Sequence, residues 1–98
     1  MKLYEGGRSL TGAVVTVDGA PLNPRYELKR FSPAGFEWTY IGDGPRQLAL
    51  ALLADHLGDP ARALALTEAF MRDVVAVLDN AWQLTSEEID AALPDANR

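Results

Sequence analysis

The sequence predicts an α+β domain: a small antiparallel sheet in the N-terminal half, covered on one face by two main helices, with a short third helix near the C-terminus. Three observations carry this expectation. Val14-Val15-Thr16-Val17 is β-branched throughout and runs into Asp18-Gly19, a pair that accepts positive φ and closes a tight hairpin. Leu48, Leu52, Leu53 and Leu57 form a helical stripe, and Ala49, Ala51 and Ala54 make most of the remaining surface apolar, so that helix is central. Thr85-Ser86-Glu87-Glu88 is a capping box ahead of a short helix from Ile89 to Leu93.

Taken in order, Lys2 to Glu5 reads as a short extended segment broken by Gly6-Gly7. After the Asp18-Gly19 turn the returning strand is interrupted by Pro21 and Pro24, so pairing resumes only near Tyr26 to Arg30. Ser32-Pro33-Ala34-Gly35 fits a type I turn. Phe36 to Ile41 alternates, with Phe36, Trp38 and Tyr40 on one face of an expected strand. The sheet thus has three to five strands, mostly in residues 1–41. Gly42-Asp43-Gly44 is a loop, and Pro45 opens the central helix, which Gly58 ends. Asp59-Pro60 caps and starts a second helix, over residues 60–78, whose core face is Ala63, Leu66, Phe70, Val74 and Val77. Ala81 to Leu84 reads as a short strand, and residues 94–98 as a frayed tail.

With 98 residues, the chain is read as a single domain over 1–98. A domain near this length buries roughly two-thirds of the surface its unfolded chain exposes. There are no cysteines, hence no disulfide framework or thiolate chemistry. No apolar leader is visible, and the longest strongly apolar run, Leu48 to Ala54, falls far short of the roughly 20 residues of a membrane helix. A soluble cytoplasmic protein is expected.

The net charge of −5 is unevenly placed: residues 1–43 hold five basic and five acidic residues, residues 44–98 four basic and nine acidic. That balance argues against direct nucleic-acid binding, which needs clustered Lys and Arg. It favours an acidic face, carried by Glu68, Asp73, Glu87, Glu88 and Asp90, that either keeps the protein in solution or docks a basic protein partner.

Few residues point to chemistry. His56 is the only histidine, has no metal-ligand spacing around it, and suits the negative end of its helix. No serine lies in a nucleophile elbow, and Glu87, Glu88 and Asp90 fall in the first turn of a helix, where acids suit the dipole. No catalytic residue, metal or cofactor is predicted. The best small-ligand candidate is the turn made by Gly42, Asp43, Gly44, Arg46 and Gln47, where backbone N–H groups at a helix start and a guanidinium suit a phosphate or carboxylate. Asp43 opposes an anion there, and the spacing is not that of a P-loop. Phe36, Trp38 and Tyr40 are either a stacking platform or core; the leucine helix needs a sheet to cover, which favours core.

The stretch S-P-x-G-F-E-W-x-Y-x-G-x-G-P-x-Q-L-A-L-A-L-L-x-D-x-L-G-D, from Ser32 to Asp59, resembles a family of small uncharacterised proteins of bacteria and their phages. W-x-L-T-x-E-E-I, from Trp82 to Ile89, is similar too. This chain departs from that pattern: Phe31 stands where His is common, Thr39 and Ile41 where Gly is common, and Asp43 where Ser is common. The resemblance implies no catalytic residues. Its phage association implies a small protein that acts by binding, such as an inhibitor of a host defence protein. The expected function is therefore non-enzymatic binding of a protein partner, or else of a small anionic ligand at residues 42–47.

Overall fold

The computed structural model describes residues 1–94. The chain forms β1 (Leu3–Ser9), β2 (Gly12–Val17), β3 (Ala20–Pro21), α1 (Asp43–Leu57), α2 (Pro60–Asp73), a 3₁₀ turn (Val75–Val77), β4 (Trp82–Thr85) and α3 (Ser86–Ala92). The sheet is antiparallel in the order β3-β2-β1-β4. Three of its strands come from the N-terminal part of the chain and the fourth from near the C-terminus. The fold class is the expected α+β arrangement. The predicted tail over 94–98 lies, beyond Pro94, outside the described residues.

Register assigns the faces of the sheet. Tyr4 stands opposite Val17 and Leu84, and Gly6 opposite Val15 and Trp82. Tyr4, Val15 and Trp82 are buried, so this is the face turned to the helices, while exposed Val14 marks the open one. Gly6 does not break β1. A Cβ there would lie 2.3 Å from the Trp82 indole, so only glycine lets that ring cross the strand. β1 therefore runs on to Ser9 and turns into β2. Asp18 (φ 50°) and Gly19 (φ 86°) make the predicted hairpin turn.

Helix α1 is central, as its composition requires. Leu48 through Leu53 are fully buried, and Leu52 and Trp38 belong to one core cluster with Tyr4, Met71 and Ile89. Burying each leucine contributes about 1.5–3 kcal/mol. Gly58 ends α1 in the left-handed conformation. The Asp59 side chain caps α2 by accepting the Arg62 N–H at 3.1 Å. Thr85 and Glu88 form both arms of the capping box that starts α3.

Three further segments differ from expectation. Phe36 to Ile41 is not a strand. Thr39 (φ 79°) leaves the extended region, and its N–H pairs with the Val75 carbonyl rather than with a strand. Trp38 still reaches the core, its Nε1 donating to the Asn80 carbonyl at 3.1 Å, but Tyr40 is 49% exposed. Tyr26 to Arg30 is not a strand either. Arg25 adopts φ 63°, and Leu28 and Lys29 donate N–H groups to its carbonyl, which closes a turn. Finally, α2 stops at Asp73 rather than 78. The chain tightens into the 3₁₀ turn, which leaves Val77 72% exposed instead of in the core; Thr67 and Met71 are buried on α2 instead.

Candidate functional site

The five residues of the predicted anion turn separate into different roles. Gly42 is the N-cap of α1, and Asp43 is already its first residue. Gly44 lies buried beneath the Glu37 side chain. Arg46 donates from Nε and Nη2 to the two Glu68 carboxylate oxygens at 2.7 and 3.1 Å, and from Nη1 to Asp43 at 3.1 Å. This fork-on-fork pair ties α1 to α2. Its hydrogen bonds push the Arg46 guanidinium up from its usual range and, with help from Arg72, hold the Glu68 carboxyl down at about 2.

Gln47 is fully buried. Its Oε1 accepts the N–H groups of Phe31 and Ser32 at 2.7 and 3.2 Å, and its Nε2 donates to the carbonyls of Pro24 and Lys29 at 2.7 and 3.1 Å. All four hydrogen-bonding positions of the amide are thus used on backbone. Gln47 faces the protein rather than a ligand and fastens the irregular 24–32 segment to α1.

The predicted acidic face divides in the same way. Glu68 is engaged by Arg46 and also by Arg72, at 2.9 Å. Asp90 meets His56 Nε2 at 2.6 Å, which joins α3 to the C-terminal end of α1 and gives the single histidine a structural partner. Glu88 serves the capping box. Asp73 and Glu87 make no ion pair among the described residues, nor does Asp79, which the sequence reading did not include.

Asp73 lies on a half-open cleft of about 270 Å³ between α2 and the end of α3, walled by Leu66, Ala69 and Phe70 on one side and Leu93 and Pro94 on the other. Val77 stands exposed just beyond Asp73. The Thr39 N–H donates to the Val75 carbonyl at 3.2 Å and brings the 39–41 loop alongside. Tyr40 and Ile41, 49% and 53% exposed, therefore adjoin the same end of α2. The cleft thus carries one carboxylate, Asp73, and exposed apolar side chains follow in the turn after α2 and in the loop bonded to it. Phe36, Trp38 and Tyr40 do not form a stacking row, since the first is half-buried, the second wholly buried and only the third exposed.

Two polar clusters escaped the sequence reading. At one end of the sheet, Asp55 of α1 accepts the Tyr4 hydroxyl at 2.7 Å and Lys2 Nζ at 3.0 Å, with Arg25 at 3.9 Å. Burial pushes the Tyr4 phenol up, and the bond to Asp55 adds to this. Burial works against ionisation of Asp55, yet the hydrogen bonds from Tyr4 and Lys2 outweigh it and hold the carboxyl below its usual range. At the other end, the Arg8 guanidinium lies 4.4 Å from the Trp38 ring centroid and donates to Glu37 and Asn80, each at 2.6 Å. Trp82 meets Trp38 edge-on, with centroids 5.8 Å apart. Both clusters join residues remote in sequence, so no local spacing announces them. Among the described residues, no three His, Cys, Asp or Glu side chains gather as a metal site, and no helix is long and apolar enough to cross a membrane.

The residues that carry the resemblance thus have visible work: Glu37 and Trp38 hold Arg8, Gln47 holds the 24–32 segment, and Trp82 fills the space over Gly6. No curated protein and no solved structure matches the chain. Residues 4–95 match DUF6166, a family of unknown function. That match spans nearly the whole sequence and both tryptophan-bearing motifs, and the protein belongs to this family.

Proposed function

We propose that the protein acts by stoichiometric binding, without catalysis, and docks a basic protein partner at the C-terminal end of α2. The observation that supports this most directly is the apolar cleft with Asp73 on its wall, a carboxylate that makes no ion pair among the described residues. An apolar side chain of the partner would fill the cleft, and a neighbouring Lys or Arg would meet Asp73. Asp79 and Glu87 add negative potential that steers a basic surface inward. Val77, Tyr40 and Ile41 widen the apolar contact. In a phage or mobile element, which the sequence resemblance suggests as a setting, such a binder would inhibit a host protein. Anion binding at Gly42–Gln47 is the weaker reading, because Arg46 and Gln47 already have partners.

Site-specific photo-crosslinking in the producing cell tests this. A crosslinking residue at Val77 is expected to capture one protein species, and Asp73→Lys or raised salt to abolish the adduct. Leu10, fully exposed at the β1–β2 turn, is the control position. Adducts from neither position, or equally from both, would refute the reading.

A further inference from the structure

The segment Arg25-Tyr26-Glu27-Leu28-Lys29-Arg30-Phe31 is basic and aromatic in a protein of net charge −5. Lys2, Arg8, Arg25, Arg46 and Arg72 all spend their charge on ion pairs. Lys29 and Arg30 make none among the described residues, although both are exposed. Leu28 and Phe31 supply the segment's contact with the core, and the segment is held through backbone atoms by Gln47.

The two cations are nevertheless ordered. Arg30 Cζ lies 4.9 Å from the Tyr26 ring centroid, and its Nη2 donates to the Pro33 carbonyl at 3.3 Å. Lys29 Nζ lies 5.1 Å from the Phe31 ring centroid. Stacking of this kind fixes long side chains while leaving most of their N–H donors free. A rigid loop carrying pre-ordered donors loses little entropy on binding. Glu27 is the one acid on the segment, against three basic residues.

We propose that the 25–31 segment is a second docking site, of opposite sign to the α2 surface, and that it takes an acidic polypeptide segment through Lys29 and Arg30. Two free cations match two or three carboxylates, with Arg30 able to hold one in a forked pair. A nucleic acid fits less well. Its phosphates demand several cations along a track, and the acidic remainder of this protein would repel a long polyanion.

Fluorescence anisotropy with labelled hexaglutamate and labelled oligothymidylate on the intact protein tests the proposal. Hexaglutamate is expected to bind saturably, more weakly as salt rises, and about tenfold more weakly to the Lys29→Gln/Arg30→Gln double variant at unchanged Tm. Arg62→Gln, at a half-buried cation on α2 that likewise makes no ion pair among the described residues, should leave binding as it is. No saturable binding of hexaglutamate, an equal loss with Arg62→Gln, or tighter binding of oligothymidylate than of hexaglutamate would each overturn the proposal. None of these results touches the α2 surface, which is probed at Val77.

Discussion

Replacing Gln47 with leucine is the sharpest test of how this fold is held. Leucine nearly preserves the side-chain volume, so no large cavity opens, but every hydrogen bond of the amide is lost. Those bonds run to Phe31, Ser32, Pro24 and Lys29, at 2.7–3.2 Å. At a net value of about 1 kcal/mol each, they sum to about 4 kcal/mol. The Ser32 N–H is buried and would be left without a partner, which places it toward the upper end of the range, whereas the part-buried carbonyls regain some water. We expect a loss of about 3–5 kcal/mol, a large share of the roughly 5–15 kcal/mol typical of a domain. Gln47→Glu should also be costly: it keeps the acceptor for the two N–H groups but turns an oxygen toward two carbonyls. Urea unfolding followed by tryptophan emission suits the measurement, since Trp38 and Trp82 are both buried in the native state. Native-state hydrogen exchange at Phe31 and Ser32 reports the loop separately. A loss below about 1 kcal/mol at unchanged m-value, with exchange at both amides unaltered, would show that Gln47 is not the fastener of this loop.

Further outcomes follow from other residues. Gly6→Ala drives a methyl into the Trp82 indole and should cost about 1–3 kcal/mol by overpacking, with a weakened near-ultraviolet dichroism of the tryptophan pair; a neutral effect would contradict the packing. Thr39→Gly removes a β-branched residue from φ 79°; relief of about 1–2 kcal/mol, offset by the greater chain entropy of glycine, should leave a net gain of roughly 0.5 kcal/mol and raise Tm by a few degrees, and a fall in Tm would refute the strain. Glu68 has its carboxyl held down at about 2, from an ordinary 4.5, by Arg46 first and Arg72 second. Its contribution is therefore complete above about pH 4.5 and fades as pH falls toward 2. The Tm difference between wild type and Glu68→Gln should be small, since the pair is exposed, and should shrink across that window; a difference that does not change between pH 6 and pH 2.5 would contradict the assignment.

Much of the candidate surface was illegible before folding. Asp73 and Glu87 were marked, but so were Glu68, Glu88 and Asp90, and only the structure separates the two that make no ion pair among the described residues from those held by Arg46, His56 and the capping box. A charge count cannot tell a paired acid from an unpaired one. The exposure of Val77 was missed because helical periodicity does not announce where a helix tightens into a 3₁₀ turn. Lys29 and Arg30 became notable only once Lys2, Arg8, Arg25, Arg46 and Arg72 were seen to be paired and the two were seen to lie against aromatic rings of their own segment.

The sequence by itself determined whatever a few adjacent residues control. The apolar composition of Leu48–Leu57 makes a buried helix, Asp18-Gly19 a hairpin turn, and Gly58, Asp59 and Thr85 the helix ends, because each depends on φ, ψ and hydrogen bonds within one turn of chain. The tertiary structure decided the rest. Phe36 to Ile41 has the alternation of a strand, but Thr39 turns to φ 79° and gives its N–H to the Val75 carbonyl, so the segment is bonded to the turn after α2 rather than to a sheet edge. Gln47 sits where a ligand-binding loop was expected, yet its partners lie 15 to 23 residues away. Lys2 meets Asp55 across 53 positions, and Arg8 meets Asn80 across 72. Whether a polar side chain serves a ligand or the fold depends on which donors and acceptors surround it after collapse, and that is fixed by long-range packing rather than by local spacing.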